Sequence, residues 1–320
     1  MIQKLELFLY KAQTSLNYDY TAAGAATFAG TDLLECLAGS KIDSEPEVET
    51  VVNVAGALDQ DPAIPGREPS KGTINMKMTP ALNAGKTLPP WAVMLCGSCA
   101  FTSAATTNNP APSNFELTPV SVFTVAGILA YYTGNLETSG SLIFKHYNLV
   151  GDWKISINAN KAPEISFTLD GAFYGQTTGT QPSVTKGRTS ALAFKGATIN
   201  IGGVSTYKLI SAEITGNQVP QTTEAPDQAN GMGYSTITDR KIKFTAKVYS
   251  TTVEDPKTAI RNSTEGAIDF KWGSAGTAVE IKGSYSQLTK CAGSEQNGIH
   301  TWDLEGQWNR NDFKIDLNPA

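Results

Sequence analysis

The sequence is poor in the side chains on which most enzymes rely. It holds two histidines, His146 and His300, in 320 residues, and its four cysteines, Cys36, Cys96, Cys99 and Cys291, are scattered. Such cysteine usage fits a reducing compartment better than a disulfide framework. Charged residues make up only 17%, and 25 basic against 30 acidic side chains give a net charge of -5. No general basic field exists to hold nucleic acid by counterion release. Long apolar runs are missing as well. The richest stretch, Leu117 to Tyr132, is cut by Pro119, Ser121, Thr124 and Gly127, short of the roughly 20 apolar residues that cross a bilayer. The opening Met1-Ile2-Gln3-Lys4-Leu5-Glu6 puts an acid where a secretory leader needs its apolar core, so export by that route is not expected.

The motifs that could carry chemistry each have a plainer reading. Cys96-Gly97-Ser98-Cys99 has redox or zinc spacing, but it falls at the C-terminal end of an expected short helix, where the dipole raises a thiol pKa. Zinc would need two more ligands, and the other cysteines and histidines stand at unrelated spacings. The pair is read as two buried structural thiols. Gly-Ser steps recur without the G-x-S-x-G context of a serine nucleophile. Asp303 and Glu305 share one face of an expected strand, as they would on any solvated strand, and the run Ser44 to Glu49 reads as a solvated loop and strand edge. No catalytic, cofactor-binding or metal-ligating residue is therefore nominated.

What the sequence does have is alternation at period two, the mark of half-buried strands. Leu5, Leu7 and Leu9 alternate with Lys4, Glu6, Phe8 and Tyr10; Val48, Val52 and Val54 alternate with Glu47, Glu49 and Asn53. The clearest hairpin sets Trp153, Ile155 and Ile157 on one face, turns through Asn158-Ala159-Asn160-Lys161, and returns Ile165, Phe167 and Leu169 to that face. Later strands are expected at 207–214, 241–249, 268–272, 278–282, 299–308 and 313–317, with a long polar loop over 215–233. Two short helices are expected. Asp255-Pro256 is an N-cap followed by proline at the first helical position, and Thr87-Leu88-Pro89-Pro90 opens a second helix that Gly97 ends. Each helix follows a strand and precedes a strand pair, an order that suggests an internal duplication with halves 1–180 and 181–320.

The segment Gly151 to Gly171, with its alternating strand, short turn and second strand closing on glycine, resembles the tail tube (major tail) proteins of long non-contractile-tailed bacteriophages. Asn160 and Lys161 stand in the turn where that family commonly has glycine. Arg67-Glu68-Pro69-Ser70-Lys71-Gly72, the stretch from Leu88-Pro89-Pro90-Trp91 to Cys99, Ile237-Thr238-Asp239-Arg240, and the terminal Trp302 to Leu317 extend the resemblance along most of the chain.

The resemblance implies an all-β fold with minor α: two tandem tail-tube-like β-sandwich or barrel domains, each with a short flanking helix. Their inner sheets would join those of neighbouring copies in a closed barrel. It implies a structural virion protein rather than an enzyme, without cofactor or metal, assembled in the bacterial host cytoplasm and associated with no membrane. Its partners would be itself, the tape measure protein, the tail terminator and distal tail proteins, and genomic DNA passing through the lumen without specific binding. Because tubes of that family are built on a sixfold frame, a duplicated chain implies three copies per ring. The lumen is expected to be polar and on balance negative. The loop Gly39 to Gly66 is expected to be mobile in the free subunit and to be ordered by reaching the adjacent ring. The competing expectation is a carbohydrate-binding or adhesion β-sandwich of the virion surface, with Tyr131, Tyr132, Trp302 and Trp308 as sugar platforms. A glycoside hydrolase would need a cleft with opposed carboxylates.

Overall fold

The computed structural model describes residues 6–13, 27–49, 64–80, 87–106, 114–134, 140–184, 190–202, 204, 207–226, 231–250, 255–274 and 277–318. In chain order the first strands are β1 (Leu7–Ala12), β2 (Lys41–Ser44), β3 (Val48–Glu49), β4 (Ile64–Pro65) and β5 (Pro69–Lys77), followed by helix α1 (Pro90–Ser98). Then come β6 (Phe101–Thr106), β7 (Asn114–Pro119), β8 (Gly127–Gly134), β9 (Ser141–Asn158), β10 (Glu164–Gly179), β11 (Thr198–Ile201), β12 (Lys208–Thr215), β13 (Val219–Glu224), β14 (Met232–Asp239) and β15 (Lys243–Tyr249). Helix α2 (Pro256–Arg261) precedes β16 (Glu265–Trp272), β17 (Val279–Gln296), β18 (Ile299–Trp308) and β19 (Lys314–Leu317). The protein is all-β with minor α.

The two halves repeat one order of pairing. In the first, neighbours run β1-β8-β9-β10-β5-β2; in the second they run β11-β16-β17-β18-β15-β12. A small separate hairpin, β3–β4 or β13–β14, lies between the second and third strand of each set, and a proline-opened helix follows the third. The sets are not separate sheets. The end of β9 pairs with β12, Lys154 opposite Thr215 to Asn158 opposite Ser211, so one antiparallel sheet runs β2-β5-β10-β9-β12-β15-β18-β17. A second link passes through the C-terminal strand: β19 pairs with β17 and with β7, and β7 with β6, a hairpin that belongs to the first half alone.

The local chemistry explains the elements. In the β9–β10 hairpin, Trp153, Ile155, Ile157, Ile165, Phe167 and Leu169 are all buried, and the turn places Asn160 at φ 62, a left-handed conformation that asparagine tolerates better than other non-glycine residues. Helix α2 starts as expected: the Asp255 carboxylate accepts from the Lys257 amide at 3.0 Å and from the Thr258 hydroxyl at 2.8 Å. Helix α1 has Pro89 at its N-cap and no capping side chain. Gly97 does not end it. The helix runs on to Ser98, and the glycine instead makes room for the Tyr10 ring: a Cβ at 97 would stand 2.4 Å from its hydroxyl oxygen, which shares a 2.7 Å hydrogen bond with Ser98.

Other expectations are corrected. β1 is buried on both faces, with Leu7 and Leu9 in one cluster and Phe8 and Tyr10 in another, because layers cover it from both sides. Of the strand expected around Val48 to Val54, only Val48–Glu49 is described, and both residues are exposed; 50–63 lie outside the described residues. The polar stretch 215–233 is not a loop throughout. It contributes to β12 and, with β13 and the start of β14, builds a hairpin whose residues are mostly exposed or half-buried, so no apolar alternation announces it.

The core is shared between the halves. Phe313 is fully buried, with ring centroids 5.3 Å from Trp153, 6.0 Å from Phe101 and 5.0 Å from Trp308. Arg240 adds a polar tie: its guanidinium donates to the carbonyls of Ala100 (3.2 Å) and Val120 (3.1 Å) and to Asn311 (2.8 Å). Phe313→Ala would remove the ring at which aromatics of both halves meet, and it should cost ~3–5 kcal/mol. Denaturant unfolding, read by tryptophan fluorescence, checks this, and a loss below about 1 kcal/mol would mean that the halves are held elsewhere.

Candidate functional site

Among the described residues one cleft beside β2 is lined by Lys41, Asp43, Glu68 and His146. The most extensive organised surface is the polar face of the joined sheet. Antiparallel register fixes which side chains share it. Lys77, Glu164, Ser156, Glu213, Thr245, Glu305 and Lys290 stand opposite one another in turn, a single row across seven strands. The row behind it is Met76, Ile165, Ile155, Ile214, Phe244, Gly306 and Leu288, and every member is buried. Gly306 is required in that row, since a Cβ there would lie 2.4 Å from the Phe244 ring. The sheet is therefore polar on one side and core on the other over its whole width.

Charges of both signs on the polar face are tied across strands. Lys77 pairs with Glu164, Lys154 with Glu213 at 2.9 Å, Lys247 with Asp303 at 3.8 Å and Lys290 with Glu305 at 2.6 Å. By register the face carries Lys41, Lys71, Lys77, Lys154, Lys208, Lys243, Lys247 and Lys290 against Asp43, Asp152, Glu164, Asp170, Glu213, Asp303 and Glu305. The two sets nearly balance. Half-exposed pairs of this kind add little stability, so the consequence is electrostatic: a surface of small net charge on which Lys77, Lys154, Lys247 and Lys290 each have a carboxylate partner. The Glu305 carboxylate holds the Lys290 ammonium above its usual pKa.

The residues weighed for chemistry take ordinary places. Asp303 and Glu305 do share a face, each paired with a lysine. Cys96 lies in the last turn of α1 and Cys99 caps it; both are free thiols, and burial pushes Cys96 up to about 12 and Cys99 well above its usual value. His146 is buried, shares a 2.7 Å hydrogen bond with Ser70, and is pushed down to about 4 by desolvation. Among the described residues no group of three or more His, Cys, Asp or Glu could hold a metal ion, and no helix is long and apolar enough to cross a membrane. The aromatics proposed as sugar platforms pack internally. Tyr132 and Trp308 are buried, Tyr131 stacks between Phe8 and Phe144, and Trp302 is half-covered by His300 and Lys257.

A family model described as phage tail tube protein matches residues 6–307. The chain belongs to the phage tail tube protein family. The match runs from before β1 almost to the end of β18, and so covers both halves and the whole polar-faced sheet. No match to the chain was found among curated proteins. A tail tube protein is a structural component of the virion that assembles with copies of itself, which agrees with a molecule whose organised features are faces and edges.

One charged cluster has no signal in the sequence because it is assembled from four strands. Lys282 of β17 bonds Asp316 of β19 and, at 3.4 Å, Glu280, while Lys314 bonds Glu116 of β7 at 3.2 Å. Asp269 faces Lys282 from β16, and desolvation, helped by Glu280, pushes its carboxyl up to about 6. A carboxyl whose folded pKa lies above its unfolded value costs stability when ionised; the cost is full above about pH 6 and fades as pH falls toward 4. In this tail tube protein Asp269→Asn should raise stability at pH 7.5 by roughly 1 kcal/mol after solvent screening, and change little near pH 4. Urea melts at the two pH values check the sign.

Proposed function

We propose that the chain is the major tail tube subunit, that residues 1–180 and 181–320 are two tandem tail-tube-like domains, and that three copies close into a ring with pseudo-sixfold symmetry. The observation that carries this reading is the repeated strand order, β1-β8-β9-β10-β5-β2 and β11-β16-β17-β18-β15-β12, joined inside the chain through β9 and β12. Each half adds four strands to the joined sheet. Repetition of that join between chains would close the sheet and remove its outer edges, which otherwise invite uncontrolled pairing. Rings then stack into the tube in the virion, with assembly in the host cytoplasm. The tape measure, tail terminator and distal tail proteins are its further partners, and no catalytic role falls to it. Six single domains and three fused pairs satisfy one frame, and fusion makes half of the junctions intramolecular, which lowers the entropic cost of association. Native mass spectrometry of an isolated ring should give three chains; six would mean that the chain is one elaborated domain.

In this reading the polar face lines the lumen. The wall is then close to neutral, in place of the on-balance negative lumen expected for sliding DNA. Its lysines need no excess of acid to be harmless to DNA, because a lysine already bonded to a carboxylate gains little by exchanging it for a phosphate. Glu164→Gln, Glu213→Gln and Glu305→Gln together would leave Lys77, Lys154 and Lys290 without these partners. The triple variant should bind double-stranded DNA in low salt, with a log–log salt slope steeper than that of the parent by up to about three. Equal binding by parent and variant in a filter assay would count against lysine pairing as the reason that DNA slides.

A further inference from the structure

The pairing that joins the halves has a counterpart that the single chain leaves open. β8 runs along β9 from Gly134 opposite Ser141 to Gly127 opposite Leu149, and β16 runs along β17 from Trp272 opposite Val279 to Glu265 opposite Gln287. Two eight-residue strands thus occupy the same stretch of two 18-residue strands. Farther along that edge, the last residues of β9, Lys154 to Asn158, take β12. The matching residues of β17, Ala292 to Gln296, bond β18 on their other edge, and among the described residues no strand bonds this one. Ala292, Gly293 and Glu295 are exposed. At the far end of the sheet β2 is likewise bonded on one edge only, to β5.

The register follows from the same correspondence. Ser156 of β9 stands in line with Glu164 and Lys77, and Ser294 of β17 stands in line with Thr301 and Tyr249. Moving the same distance along β5 and β15, Thr73 faces Lys41 of β2 and Thr245 faces Glu213 of β12. Lys41, Ile42 and Asp43 therefore hold in the first half the places of Glu213, Ile214 and Thr215 in the second, and Ile42 and Ile214 are both buried on the apolar side. Within the chain those three residues of β12 face Ser156, Ile155 and Lys154.

We propose that β2 of one copy adds, antiparallel, to the free arm of β17 in a neighbouring copy, with Lys41 opposite Ser294, Ile42 opposite Gly293 and Asp43 opposite Ala292. The occupant is a second copy of this chain, because the template for the junction is a pairing the chain already makes with itself. Two strand edges supply the backbone donors and acceptors. The polar face continues across the seam, and Asp43 comes to lie diagonal to Lys290, beside the existing Lys290–Glu305 pair. Such a head-to-tail contact uses two different edges, so it propagates until the rotation closes.

The inference rests on the ring reading, and the test separates the two. In a Cys291→Ser background, Asp43→Cys with Ala292→Cys places two exposed thiols on one face at directly opposed positions, within disulfide reach. Mild oxidation of assembled protein should give intermolecular bands on a non-reducing gel. Asp43→Cys with Gly293→Cys, which points the second thiol to the opposite face, should give at least tenfold less. If negative-stain images show rings or tubes but the first pair cross-links no better than the second, the junction is wrong and the ring reading stands. If the protein stays monomeric, with no ring at any concentration, both fall.

Discussion

The architecture depends on the requirement that every strand edge find a partner. A sheet leaves a row of backbone N–H and C=O groups along each unpaired edge, and burial of those groups without bonds is expensive. β9 meets this requirement twice over on one edge, giving its first part to β8 and its last residues to β12. That division lets a single strand serve both layers of the first half and carry the sheet on into the second. The Trp153–Phe313 contact and the buried apolar row lie behind the seam, so the backbone join and the core reinforce each other.

Much of this was legible in the sequence wherever apolar residues alternate. The β9–β10 hairpin, α2 with its Asp255 cap and β18 follow from period-two or capping signals in residues that are neighbours along the chain. The failures have a common cause. The apolar pattern ends β17 near Lys282, whereas the strand runs to Gln296; its distal residues, Thr289, Lys290, Ala292, Gly293 and Glu295, are exposed and carry no apolar alternation. β13 is built from Val219, Pro220 and polar residues, for the same reason. Strands of which only one edge or neither face is covered within a monomer look like loops to any reading based on burial. The seam itself, Ile155 opposite Ile214, joins residues far apart in the chain, and no local pattern encodes it.

The charge of the polar face does not follow from composition. The chain as a whole has a small acidic excess. The register instead pairs lysine with carboxylate across β5–β10, β9–β12, β15–β18 and β17–β18. Net charge is a property of the whole chain, whereas the field at a face depends on which side chains the pleat directs there. The acidic excess goes elsewhere, in part to the Asp269, Glu280, Asp316 and Glu116 group around Lys282 and Lys314, where close packing keeps carboxylates only partly compensated.

The halves match in strand order but differ in how they are secured, and the differences have a direction. Only the first half carries the inserted β6–β7 hairpin, and that hairpin pairs with β19, the strand that follows the last strand of the second set. Arg240, just before β15, reaches back to carbonyls at the two ends of the same hairpin, Ala100 and Val120. Each half therefore supplies a piece that is satisfied only by the other. Two separate copies of one domain would have to find each other at a concentration cost before such contacts formed; a fused pair makes them while folding. The added strand and the half-buried guanidinium tie one half to the other, and the largest core cluster draws residues from both.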